Sequence, residues 1–448
     1  MAENNIVVIG GSFAGHSLAN ALAHKLPATH RILLVEQNEF TAHLPGVVRG
    51  LVEPGWEERN LTAPTRQETV FKAGTRHRVL APVRVLELLE GRVLLDTEFE
   101  GSTEVPFGKC IVATGSSQRS PLRPEPGATR AEYADALRLE QAGFGKATHV
   151  LVVGGGAVGV EVAGELTTHY PSVQVTIVHG RSRLLETGEQ VPFGTQMAPQ
   201  PDTDGVHTPY AYPFVPESVS ERVDAQLRAR GVEVILNDRV RFPSSEEHTG
   251  AVVNGEVDPP AWDGREGLLP GMRAVTLASG QTVHADCVFG GSGAWPNSSL
   301  VSAVDPTALV GGYVAVDPNF RILSSAPALK DVYALGDVAN TGGRKTAGQA
   351  VGEARHLAMV LLSHLACEAQ GRPPAAKAYA PGFLQSILVP IGEGRGGPGD
   401  GIGAGSVDLG WLGVWRAPEW LLRWFAKDYF CSQHFVARFQ GEVGVKDL

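Results

Sequence analysis

A strand, a glycine-rich turn and a helix occur in that order twice in this chain, and nothing else in it restricts the fold as strongly. The first copy is the apolar, β-branched run Asn5–Ile9, the turn Gly10, Gly11, Ser12, Phe13, Ala14 and Gly15, and a helical stretch to about Lys25. A second strand, Arg31–Val35, then ends at Glu36. The second copy is a strand over Thr148–Val153, a turn from Gly154 through Gly156 to Gly159, a helix over Val160–His169 and a strand over Val173–Val178 that ends at His179. The spacing has a steric cause. The first glycine permits a sharp reversal from strand to helix, the second admits a pyrophosphate against backbone N–H groups, and the third lets helix and strand pack closely. The positive end of the helix macrodipole then faces the diphosphate. A lone glycine turn is weak evidence. Two of them, each following a strand and opening a helix, point to two dinucleotide crevices.

The copies differ where ligand choice is made. In the first, Ser12 stands in for the second glycine and is small enough to clear the phosphates. Glu36 offers a carboxylate to both hydroxyls of an adenosine ribose. The second copy carries His179 at that position, with Arg181 and Arg183 behind it. With no carboxylate to repel it, a ribose phosphate is admissible there, and guanidiniums are suitable partners. NADPH is therefore admitted and NADH is not excluded; an exposed surface charge remains the alternative for each arginine.

Between and after these units lie further strands. Val79–Asp96 reads as a small β-meander, and Cys110–Ser116 as a buried strand ending in Ala113, Thr114 and Gly115. Cys287–Gly293 is a degenerate relative of that strand, and Asp331–Asp337 is another closed by Gly336 and Asp337. This ordered set resembles the two-dinucleotide-binding-domain flavoproteins. The resemblance implies that the first glycine turn holds the FAD diphosphate and that the Ala-Thr-Gly strand end returns the chain between domains. It also implies that Asp337 bonds the ribityl chain. The expected fold class is α/β, with two interleaved Rossmann-like domains and a smaller α+β C-terminal domain. Residues 1–118 and 298–357 are expected to bind FAD and 119–297 NAD(P)H, with 358–448 forming the third part.

A narrower resemblance covers the chain nearly end to end. IVVIGGSFAG, Phe40–Arg49, VVGGGAVGVEVAGEL with HYPSVQVTIVHG, VYALGDVAN, Lys345 and the AYAPG at 378–382 look like the apoptosis-inducing-factor-like, ferroptosis-suppressor-like branch of NAD(P)H:quinone oxidoreductases. By position, Arg49 and Val83 fall where that branch contacts FAD. Residues 186–215 and about 243–270 depart from it, being longer and rich in proline and glycine. Ala2 stands where a myristoylation signal needs glycine.

Subclasses of this fold differ in the group they bring to the flavin. The four cysteines, Cys110, Cys287, Cys367 and Cys431, lie far apart with no CxxC, so neither a dithiol nor a zinc site is expected. The stretch after Glu36 offers His43 and no thiol, and a packed or exposed histidine is the expectation there. No Baeyer–Villiger signature occurs. What remains is hydride transfer from nicotinamide to flavin and electron delivery to a small acceptor, a quinone or related aromatic. From the resemblance, Lys345 and Glu161 face the flavin–nicotinamide junction. Lys345 is expected to stabilise negative charge there, and Glu161 to pair with it or orient the nicotinamide. Their alternatives are a solvated loop lysine and a helix N-terminal carboxylate.

The formal charge of -10 counts against nucleic acid as a partner. A strand beginning at residue 5 leaves no room for a leader, and no apolar run spans a bilayer, so a cytoplasmic location is expected. Near the C-terminus, Phe383–Ile391 and Ser406–Trp415 read as strands around a glycine-rich turn. Residues 418–430 read as an amphipathic helix with Trp420, Leu421, Trp424, Phe425 and Tyr429 on one face. That face is expected to pack on the FAD domain or a second subunit, making a homodimer; the alternative is peripheral contact with a membrane. Two rival functions stay open: a tailoring oxidoreductase of a specialised pathway, with 186–215 shaping its pocket, and a signalling flavoprotein with little turnover.

Overall fold

The computed structural model describes residues 4–58, 61–71, 74–186, 190–191, 212–213, 215–243, 259–291, 293–373, 375–379, 384–392, 401–409 and 414–427. Most of the 186–215 insertion, residues 244–258, Tyr429 and Cys431 therefore lie outside the described residues, as do the side chains of Trp424 and Phe425.

The chain opens with β1 (Asn4–Ile9), α1 (Phe13–Ala23) and β2 (His30–Val35), passes through the short helix α2 (Val47–Val52), and adds β3 (Arg78–Leu80). An antiparallel meander follows, β4 (Val85–Leu89), β5 (Arg92–Phe99) and β6 (Ser102–Pro106), then β7 (Lys109–Val112) and α3 (Arg130–Lys146). The second unit repeats the opening with β8 (His149–Val153), α4 (Ala157–His169) and β9 (Gln174–His179), followed by α5 (Glu217–Ala229) and β10 (Glu233–Leu236). The hairpin of β11 (Gly267–Thr276) and β12 (Thr282–Gly290) comes next, and β13 (Val332–Ala334) and α6 (Ala347–Ala369) follow it.

Two five-stranded sheets result. The first has the order β13-β7-β1-β2-β3 and is parallel throughout. The second has the order β10-β9-β8-β12-β11, parallel except for its β11 edge. Each glycine strand thus sits at the centre of its sheet. Strands covered on both faces read as continuous apolar runs, which is why Ile6, Val7, Val8 and Ile9 are all buried. Helix α1 lays Leu18, Ala19 and Leu22 against Ala354, Leu357 and Leu361 of α6 to cover one face. A capping box starts α3: Thr129 Oγ1 accepts from Glu132 N at 3.2 Å, and the Glu132 carboxylate accepts from Thr129 N at 2.8 Å.

The chain leaves the first sheet after β7 and returns to it as β13. Ser116 and Ser117 pair antiparallel with Pro296 and Trp295 at this double crossing. The anticipated meander is present, although Val79 belongs to β3 of the parallel sheet. A small antiparallel sheet, β14 (Leu384–Pro390), β15 (Gly403–Leu409) and β16 (Val414–Arg416), precedes α7 (Glu419–Lys427).

Two expectations need correction here. Ser406–Trp415 is not one strand: β15 ends at Leu409 and β16, antiparallel to it, begins at Val414. Within the helix over 418–430, Leu421 of the expected face packs as anticipated, but Trp420 does not. Leu422 is 3% exposed beside Ile402 and Ala417, whereas Trp420 is 69% exposed. An amphipathic stripe fixes that a helix packs, but the angle of docking follows from what lies beneath. No helix among the described residues is long and apolar enough to cross a membrane.

Candidate functional site: two glycine crevices and the junction between them

The two glycine turns follow one plan. Gly10 has φ +107° and Gly154 has φ +106°, a conformation that other residues adopt only under strain. A methyl group on Gly15 would collide with the carbonyl of Gly10, and one on Gly159 with that of Gly154. Each helix therefore runs tight against its own strand, and its free N–H groups face the crevice. At Gly156, the N-cap of α4, a methyl would meet nothing within 4 Å, so the space above it is open. Ser12 is the N-cap of α1, and Phe13 and Ala14 begin that helix.

Both second strands end in a side chain turned back onto the turn. Glu36 Oε2 accepts from Gly11 N at 2.6 Å and its Oε1 from Asn38 N at 3.0 Å. Burial pushes this carboxyl up, and the backbone N–H bonds oppose the rise. Val83 N donates to the Glu36 carbonyl at 2.9 Å, which sets Val83 beside Glu36. In the second unit His179 Nδ1 accepts from Gly155 N at 3.1 Å, and Nε2 lies 3.1 Å from the Glu186 carbonyl. That pair of bonds fits the neutral tautomer carrying its proton on Nε2. Burial accordingly holds the imidazole below its ordinary value. Arg181 is exposed, and Arg183 turns to Glu217 at 3.4 Å. Arg239, which no local pattern in the sequence marks, would have its Nε 2.7 Å from a Cβ on Gly180, next to His179.

The strand end Ala113, Thr114 and Gly115 is fastened at the crossing. Thr114 Oγ1 donates to the Asn297 carbonyl at 2.7 Å, and Asn297 Nδ2 donates to the Thr114 carbonyl at 2.9 Å. Gly115 has φ +70°. Asp337, after Gly336, accepts from Ser116 Oγ at 2.9 Å and lies 3.3 Å from the guanidinium of Arg123. Arg123 is a second residue the sequence did not flag. Its Nε is buried with no hydrogen-bond partner, and burial depresses the guanidinium against the attraction of Asp337. An unsatisfied buried donor beside a carboxylate is an unusual arrangement for a closed core.

At the junction, α2 of the first unit packs on α4 of the second. Arg49, 2% exposed, reaches across to Glu165 at 3.0 Å, lies 3.8 Å from Glu53, and stands over the Trp56 ring. Its guanidinium is thus engaged by the domain interface. Glu161 is buried one helical turn before Glu165; burial first and then the Glu165 charge push its carboxyl well above the ordinary range. Lys345 Nζ donates to the carbonyls of Gly336 and Ala339 and lies 5.6 Å from the Tyr313 ring. Burial pushes this amine down. Beside it, Glu353 accepts from Gly336 N at 2.7 Å. Lys345 is thereby tied to the Gly-Asp turn. His43 is 2% exposed and packs on Phe13. The sequence could have shown Glu165, four residues beyond Glu161 on the same helix face. No local signal marks Arg123 or Arg239.

The residues present fit two adenine dinucleotides. Two cradles that a Cβ would fill, a buried carboxylate at one ribose position and an orphaned guanidinium donor at the strand ends suit FAD and a nicotinamide dinucleotide. A fold with two such crevices meeting at one junction defines a pyridine-nucleotide-dependent flavoprotein. Residues 4–208 and 206–354 match the pyridine nucleotide-disulphide oxidoreductase family, and the chain belongs to it. Its cofactors are FAD and NAD(P)H, and it is an oxidoreductase. The chain is 26% identical over 351 residues to the FAD-dependent oxidoreductase FVFD30 of Flammulina velutipes, covering 77% of this chain and 88% of that protein. It is 26% identical over 394 residues to ferroptosis suppressor protein 1 of Homo sapiens, covering 86% of this chain and 85% of the relative. In fold it is similar to the covalent putidaredoxin reductase–putidaredoxin complex, with a TM-score of 0.56 at 18% identity over 96% of this chain and 94% of the other.

Proposed function

We propose that this protein takes electrons from NAD(P)H through FAD and delivers them to a small aromatic acceptor, a quinone. The observation that carries the reading is the make-up of the junction. Cys110, Cys287 and Cys367 are free and buried, and burial pushes the thiols of the first two far up, so neither supplies a thiolate. The junction instead gathers Glu161, Arg49 and Glu165, groups suited to moving protons and balancing charge.

In this reading the first crevice holds FAD. Gly10 to Gly15 receive the diphosphate, Glu36 and Val83 the adenosine, and Ala113 to Gly115 with Gly336, Asp337 and Arg123 the remainder. The second crevice holds the nicotinamide dinucleotide through Gly154, Gly156, Gly159, His179 and Arg181. When bound, the flavin supplies two-electron chemistry between nicotinamide and acceptor. The chain's own residues orient the two rings, exclude water and balance charge. Lys345 sets a positive charge beside the Gly-Asp turn, where negative charge on a reduced ring is stabilised. His179, whose imidazole burial holds below its ordinary value, and the exposed Arg181 leave room for a ribose phosphate, so the crevice admits NADPH as well as NADH.

Anaerobic titration followed by steady-state assay tests this. NADPH should bleach the flavin absorbance, and a short-chain quinone should then sustain turnover. A flavin that neither nucleotide bleaches would overturn the reading, and bleaching without quinone turnover would remove the acceptor.

A further inference from the structure

We infer that Glu161, Glu165 and His169 form a proton route along one face of α4, from solvent to the junction where the two dinucleotides meet. The inference rests on the quinone reading above and adds to it the path of one reactant. Converting a quinone to a hydroquinone consumes two electrons and two protons and forms two O–H bonds. The C–H bond broken in NAD(P)H accounts for both electrons and one proton. The second proton comes from water in every turnover, and it has to reach the junction.

The three residues stand at i, i+4 and i+8 of one helix, so their side chains form a column. His169, with its side chain 25% exposed, is the outer end. Its Nε2 lies 3.2 Å from Oε2 of Glu165, which is fully buried. The other Glu165 oxygen accepts from Arg49 at 3.0 Å. Glu161 is the inner end, 7% exposed on the first turns of α4, the helix that Gly156 caps. Carboxyls at i and i+4 are within reach directly or through one water. Burial, and after it the Glu165 charge, push the Glu161 carboxyl well above its ordinary range, so the column ends in a group that favours holding a proton.

The other charged groups facing this column come from α2 and the residue after it. Arg49 fixes Glu165, and Glu53 lies 3.8 Å both from His169 Nε2 and from Arg49 Nε. Tyr170, next along the chain, donates to the carbonyls of Val52 and Gln141 and takes no part. The Arg49–Glu165 pair accounts for closing the interface. It does not account for Glu161, because a second buried acid one turn away is costly where glutamine or leucine would pack at less expense. Breaches of local economy of this kind mark functional positions.

Infrared spectroscopy of the full-length protein, with and without FAD, gives a readout independent of turnover. A protonated-carboxyl C=O band should be present, vanish in Glu161→Gln, and shift in D2O. The route requires that this exchange slow about tenfold or more in His169→Ala and in Glu165→Gln. In the FAD-loaded enzyme, His169→Ala should lower quinone turnover about tenfold, leave the KM for NAD(P)H unchanged, and recover with added imidazole. Unchanged exchange rates, or a His169→Ala defect that imidazole does not relieve, would overturn the route. Absence of quinone turnover in the wild type sinks the acceptor reading instead, and the exchange measurement still decides the route.

Discussion

The two glycine turns share a backbone and meet different side chains at the ends of the neighbouring strands. Gly10 and Gly154 adopt the same left-handed conformation, and Gly15 and Gly159 close the same tight contact. At the ends of the neighbouring strands, Glu36 and His179 each accept the N–H of the glycine that follows the hinge, Gly11 and Gly155. One backbone solution thus serves both units, and the charge of the accepting group distinguishes them. A carboxylate selects free ribose hydroxyls by hydrogen bonding and repels phosphate. A neutral imidazole satisfies the same backbone N–H without that repulsion. The comparison teaches that the crevice is set by sterics and its ligand by electrostatics.

The largest effects come from filling a cradle. Gly15→Val should leave the purified protein colourless. Gly159→Val should keep the yellow flavin and weaken NAD(P)H by about 100-fold, since overpacking of this kind costs about 1–3 kcal/mol. Absorbance spectra and calorimetric titration check both, and the opposite pattern would reverse the assignment of the crevices. Next comes Glu36→Ala, which removes a charged acceptor. It should weaken FAD by about 10- to 100-fold, as expected for hydrogen bonds worth about 1.5–3 kcal/mol, with no change in NAD(P)H affinity. Equal loss of both ligands would mean that Glu36 acts on the fold and not on the flavin.

The smallest effect is a pH dependence specific to the second crevice. Burial depresses His179 in the folded protein, so the folded state resists protonation there. Its contribution to stability is complete above the unfolded histidine value, about pH 6.5, and is lost as pH falls through the lower folded value. His179→Asn keeps an acceptor for Gly155 and does not titrate. Its urea midpoint should therefore fall less than that of the wild type on going from about pH 7.5 to 5.5. Parallel curves would show that His179 is not linked to folding.

Much of this protein is written locally. The hinge glycines, the apolar strands after which they come, and the Ala-Thr-Gly and Gly-Asp strand ends are each a matter of a few adjacent residues. Their consequences are steric and short-range, so the α/β fold and both crevices follow from reading along the chain. The exposure of Trp420 did not, because Leu421 and Leu422 are the α7 residues that pack beside Ile402 and Ala417. Nor did the partners of the charged groups. Arg123 meets Asp337 across 214 residues of chain, and Arg49 meets Glu165 across 116. Lys345 settled on the carbonyls of Gly336 and Ala339. Sequence determined where the cofactor cradles form, since steric exclusion acts between neighbours. Only the tertiary structure decided which charges are buried together, because that depends on which distant elements share one dry interface.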